Sequence, residues 1–138
     1  MEGLKLFLKE NRVKRENVFY SPAEDMRDEK GDKIQWEIRH ITTSEDEQIR
    51  EDCIREAHGK GIRVDYNLYL KKLCAASVVY PPLYNARLQD SYGVKTPEDL
   101  LIELLDNPGE YQEFVKFVQR INGFDVTMAE RVEKAKNS

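Results

Sequence analysis

The sequence predicts a mainly α, α+β fold: a compact helical domain of about five to six helices with one small N-terminal β-hairpin. Three observations carry that prediction. Cap residues followed by acids or proline stand at Ser44-Glu-Asp-Glu47, Thr96-Pro-Glu-Asp99, Asn107-Pro-Gly-Glu110 and Thr127-Met-Ala-Glu130. A stretch near the N-terminus, Ile34 to Ile38, alternates apolar and polar residues as a half-buried strand does. Charged residues make up 35% of the chain and hydrophobic ones 40%, so the core must be small, and helices with one wet face cover it better than a thick sheet sandwich. At 138 residues the chain should form one domain over 1–138.

Taken in order, Leu4, Phe7 and Leu8 recur at i, i+3 and i+4 and predict a short amphipathic helix over 3–10. Residues 11–16 are charged and read as a loop. A hairpin follows over about 18–41. Ile34, Trp36 and Ile38 alternate with Gln35, Glu37 and Arg39 on one strand, and Val18 and Tyr20 belong to its partner. Asp28 to Asp32 supplies turn residues, with Gly31 free to take positive φ, and Pro22 is confined to an edge or bulge.

The helical region should run over 44–137. Its first helix opens on the Ser44/Glu47 capping box, buries Ile49, Cys53 and Ala57, and ends at Gly59 and Gly61. Asp65 caps the next, whose stripe is Tyr66, Tyr69, Leu70, Leu73, Ser77 and Tyr80. Pro81-Pro82 terminates it, because proline lacks the amide donor and clashes with the preceding turn. Residues 85–92 form one or two more helical turns closed by Gly93. The helix capped by Thr96 is apolar on most sides from Leu100 to Leu105 and should sit centrally. The one capped by Asn107 presents Tyr111, Phe114, Val115, Val118 and Ile121, and Gly123 closes it with Phe124 folding back against Val118. A final helix opens at Thr127, where Lys134 and Lys136 suit a C-terminal end.

Residues able to do chemistry form no catalytic constellation. His40 and His58 lie far apart, neither cysteine belongs to a Cys-x-x-Cys pair, and His58 reads as a partner of helix carbonyl dipoles; no metal or cofactor is expected. Cys53 and Cys74 read as free buried thiols of a reducing compartment, and burial leaves Cys74 inert. Ser77 and Ser91 lack a nucleophile elbow, and Gly59-Lys-Gly61 lacks phosphate-loop spacing. The carboxylates at 45–47 and 98–99 are explained by helix caps and dipoles, so an enzyme is not expected. A net charge of −4 without clustered cations argues against nucleic acid, and the short apolar runs argue against a signal peptide or a membrane span. Trp36 suits core packing, with a partner-facing role as the alternative. Tyr80, Tyr84 and Tyr92 with Leu83 and Leu88 surround the double proline. They suit either a rigid amphipathic interface or a plug for the end of the bundle.

The chain resembles the XkdN-like phage tail assembly chaperones along nearly its whole length. Ala76-Ser-Val-Val-Tyr-Pro81 followed by Leu88-Gln-Asp-Ser-Tyr-Gly-Val94 is similar to that family's signature. The N-terminal Phe7-Leu-Lys-Glu-Asn11, the segment from Asp28 through Trp36 to Thr43, Pro108-Gly-Glu-Tyr111 and Ile121-Asn-Gly-Phe124 complete the likeness in order. Pro82 and Tyr84 depart from the pattern. The resemblance implies a chaperone in the cytoplasm of a bacterial host, encoded by a phage or prophage. It would hold the tape measure protein during tail morphogenesis, with the tail tube protein as a second candidate partner, and be absent from the finished virion. Val79, Tyr80, Leu83, Tyr84, Leu88 and Tyr92 are the expected binding surface. A structural tail component, such as a completion or connector protein, is the alternative.

Overall fold

A computed structural model describes residues 2–57, 59 and 61–124. Two short 3₁₀ segments, Glu2–Phe7 and Lys9–Asn11, lead into β1 (Val18–Tyr20) and β2 (Trp36–Ile38). α1 (Thr43–Asp52) precedes β3 (Ile54–Ala57) and β4 (Gly61–Val64); α2 (Tyr66–Ser77) runs directly into β5 (Val78–Tyr80). Three further helices follow: α3 (Ala86–Ser91), α4 (Pro97–Leu104) and α5 (Pro108–Ile121).

β1 and β2 pair antiparallel in the register Val18↔Ile38, Phe19↔Glu37 and Tyr20↔Trp36. The turn between them is organised by Asp28, whose carboxylate accepts from the amides of Lys30 (2.9 Å) and Asp32 (3.0 Å) while Gly31 takes a φ of 85°. Trp36 and Ile38 point inward and Phe19 outward, as period-two alternation requires. Trp36 is buried and meets the edge of Phe114 at 5.6 Å, so its role is packing. Tyr20 stacks on Phe117 at 4.2 Å, fastening β1 to α5. The core joins these residues to Leu73 and Cys74 of α2, Leu100, Leu101 and Leu104 of α4, and Phe114 and Val118 of α5. α4 therefore lies centrally, as its apolar girth indicates. Thr96, Asn107 and Asp65 each accept the amide three residues on, and Pro97 and Pro108 occupy the first helical position. α5 closes at Gly123 with φ 75°, and the Phe124 amide donates back to Gln119 O while its ring packs on the core.

Several expectations need correction. The N-terminal segment is 3₁₀ rather than α, and Leu4, Phe7 and Leu8 are exposed instead of buried. A segment this short cannot repay α-helix nucleation without an apolar face to pack on. The capping box lies two residues early: Thr42 Oγ1 accepts from Glu45 N (3.2 Å) and Glu45 accepts from Thr42 N (3.1 Å). α1 stops at Asp52, and Ile54–Ala57 and Gly61–Val64 form a second hairpin with Ile54↔Val64 and Arg55↔Arg63 opposed. Gly59, at φ 65°, lies in its turn, and Gly61, at φ 83°, opens β4 opposite Ala57, so neither ends a helix. α2 ends at Ser77, not Tyr80, and Tyr66 is exposed rather than part of the buried stripe. The N-terminal pairing is therefore part of a three-stranded sheet, order β1-β2-β5, instead of a lone hairpin. His58 and the final helix expected from Thr127 lie outside the described residues. Among the described residues no helix is long and apolar enough to cross a membrane.

Candidate partner-binding surface

β5 exists because Val78 and Val79 are β-branched and the helix before them is cut short. Ser77 Oγ donates to Leu73 O at 2.9 Å, and Ser77 O accepts the Arg39 amide at 2.8 Å, so the last helical carbonyl starts the sheet ladder. Tyr80 pairs with Glu37 and Val78 with Ile38, leaving Val79 as the extra residue of a bulge. A bulge breaks period-two alternation. Val78 is buried, while both Val79 and Tyr80 face outward.

The chain then turns through Pro81 and Pro82, with the Tyr80–Pro81 bond cis. Leu83 drops into the core at 1% exposure, and its carbonyl accepts from Gln89 Nε2 at 2.7 Å. Tyr84 is thrown outward at 77% exposure. Asn85 caps α3 by accepting from Leu88 N at 2.9 Å, Leu88 packs half-buried on the core, and Tyr92 ends the helix exposed. Four of the six sequence-predicted residues, Val79, Tyr80, Tyr84 and Tyr92, thus present aromatic or aliphatic surface to solvent. Leu83 corrects the expectation, because its side chain plugs the core and is not available to a partner. Leu88 serves mainly the same packing.

Val79 and Tyr84 also line a cleft of about 420 Å³ with Val78, Ala76, Ile49, Gln48, Arg39 and Glu45. The wall made by α1 was not legible from local pattern, since Arg39, Glu45, Ala76 and Tyr84 are distant in sequence. The Arg39 guanidinium meets the Glu45 carboxylate in a forked pair at 3.1 and 2.6 Å. That hydrogen bonding, with help from the Thr42 amide, holds the Glu45 carboxyl down to about 2. The wall is braced from behind by Asp46, which accepts from the Tyr69 hydroxyl and pairs with Arg50 at 3.0 Å. Arg50 lies 4.5 Å over the Tyr69 ring, so α1 is locked to α2. Burial, followed by Asp46, pushes the Tyr69 phenol well above its ordinary range, which leaves it neutral. The cleft therefore offers an apolar floor with one fixed, mutually satisfied charge pair on its rim.

Elsewhere, Cys53 and Cys74 are free and buried, and burial pushes the Cys74 thiol up to about 12. No group of three or more His, Cys, Asp or Glu residues able to hold a metal occurs among the described residues.

Comparison with known proteins places these features in context. The profile of the phage XkdN-like tail assembly chaperone protein family matches residues 4–136. The chain is 24% identical over 139 aligned residues to the phage-like element PBSX protein XkdN of Bacillus subtilis (strain 168), covering 97% of this chain and 93% of that protein. It is 22% identical to the uncharacterized protein YqbN of the same strain, with the same coverage. The crystal structure of YqbN superposes with a TM-score of 0.75 at 20% identity, covering 87% of this chain and 95% of that one, a likeness of fold. The chain belongs to the phage XkdN-like tail assembly chaperone family.

Proposed function

We propose that this tail assembly chaperone acts by holding the tape measure protein before and during tail polymerisation, in the cytoplasm of the bacterial host, and leaves before the virion is complete. The observation that carries the reading is the outward cluster of Val79, Tyr80, Tyr84 and Tyr92 beside a preformed apolar cleft. Tape measure proteins are long and helical, and an amphipathic helix is recognised by laying its apolar face against such a surface. Family membership implies a role in assembly rather than catalysis, and a contact surface without a reactive group suits that role.

Holding must be reversible, because tube subunits have to replace the chaperone. A modest patch of exposed aromatics on a rigid scaffold gives weak individual contacts, and many copies along one long partner supply avidity. The alternative, a structural tail component, would require a permanent place in the particle. Immunoblotting and mass spectrometry of purified particles separate the two readings. The chaperone reading expects the chain in the lysate and none in the particles; a fixed stoichiometry in the particles overturns it.

A further inference from the structure

We propose that the outer face of the three-stranded sheet takes a cationic side chain of the tape measure protein, an arginine set on Glu37 between Phe19 and Tyr80. The strand register makes this row. Phe19 pairs with Glu37 across β1 and β2, and Glu37 pairs with Tyr80 across β2 and β5. Directly opposed residues of antiparallel strands project to the same face, and neighbouring strands lie about 4.8 Å apart. The two aromatic positions therefore stand roughly 5 Å to either side of the glutamate. Trp36, Ile38 and Val78 fill the opposite face and are buried, so this row looks outward. Phe19 and Tyr80 are 58% and 53% exposed, and neither ring stacks on another among the described residues.

Charge complementarity names the occupant. Glu37 makes no ion pair among the described residues. Its Oε2 accepts from Asn17 Nδ2 at 2.7 Å, a neutral donor that aims the carboxylate and leaves its charge uncompensated. Arg39, two residues on, is committed to Glu45 through two hydrogen bonds. A lone carboxylate between two aromatic side chains favours a cation, which gains an ion pair beneath it and ring faces at its sides. Arginine fits better than lysine, because its planar guanidinium stacks on an aromatic face while its N–H groups fork onto a carboxylate. The inference rests on reading the adjoining Val79, Tyr80 and Tyr84 as the surface that holds the tape measure protein. It adds that the docked segment carries an arginine beside its apolar stripe, and it brings Phe19 and Glu37 into the contact.

Capture of the tape measure protein by the full chain gives the first test. Glu37→Gln keeps the size of the side chain and its bond from Asn17, and Phe19→Ala changes an exposed position, so both variants should melt with the wild type. Each should bind the tape measure protein about tenfold more weakly, and the salt dependence of the wild-type complex should shrink for Glu37→Gln. Wild-type capture matched by both variants overturns this proposal and leaves the holding function standing. The second test needs no tail protein. N-acetylargininamide titrated into the isotope-labelled full chain should shift the amide NMR signals of Phe19, Glu37 and Tyr80, and the Glu37→Gln chain should not respond. N-acetylglutaminamide should move neither. Wild-type signals that stay in place, or that move equally with both compounds, overturn the proposal whether or not the tape measure protein is captured.

Discussion

Leu83 and Tyr84 are adjacent in sequence and opposite in environment, and truncating each to alanine separates stability from recognition. Leu83 is 1% exposed, so Leu83→Ala removes buried methyl groups and leaves a cavity that the cluster around it can only partly close. The expected cost is about 3 kcal/mol, within the 2–5 kcal/mol span of such changes. For a chain of this size that corresponds to a melting temperature lower by roughly 10 °C. Tyr84 is 77% exposed, and Tyr84→Ala should stay within about 0.5 kcal/mol of the parent. Urea unfolding followed by circular dichroism reads both, with the midpoint moving for Leu83→Ala and the slope unchanged. Partner capture should reverse the order: Tyr84→Ala weakens it, while residual folded Leu83→Ala retains it. A Leu83→Ala protein as stable as the parent would refute the assignment of that side chain to the core. A Tyr84→Ala protein unfolding several degrees early would refute its assignment to the surface.

Thr42→Ala should cost about 1 kcal/mol by removing the observed helix cap, whereas Ser44→Ala should be close to neutral; comparing their urea midpoints checks this. Glu45 has its pKa lowered by Arg39, so the pair's contribution is fully present above the ordinary carboxylate range and is lost as pH falls from about 4.5 through about 2. Melting temperatures measured down that window should fall more steeply for the parent than for Glu45→Gln, and identical slopes would contradict the assignment. Cys53 and Cys74 should resist an aromatic disulfide reagent at neutral pH and react in step with global unfolding in urea. Rapid labelling of the native protein would place either thiol nearer the surface.

Much of the helical scaffold was legible because its punctuation is local. Thr96-Pro97 and Asn107-Pro108 combine cap and first-turn proline, and both helices begin there. The α1 to β5 region was harder because two periods compete. Ile49, Cys53 and Ala57 satisfy a helical spacing, yet Ile54, Ile62 and Val64 satisfy strand alternation around a glycine turn, and pairing across that turn prevails. Val78 to Tyr80 likewise continues a helical stripe on paper. The edge of β2 offers it hydrogen bonds that the end of the helix cannot. The candidate surface was read from the density of aromatics around Pro81-Pro82, a composition signal that cannot tell inward from outward. Leu83 and Tyr84 differ only in which way the turn sends them. The cleft wall was invisible for another reason: Arg39 and Glu45 meet Ala76 and Tyr84 only after the sheet has formed.

Co-expression of the chain with the tape measure protein of the same tail cluster shows whether the chain holds that protein in solution. The tape measure protein, aggregated when made alone, should become soluble and co-elute with this chain, and combined Tyr80→Ala and Tyr84→Ala substitutions should reduce the yield of complex while leaving the chaperone folded. A tape measure protein that aggregates to the same extent with and without the chain would contradict the holding function.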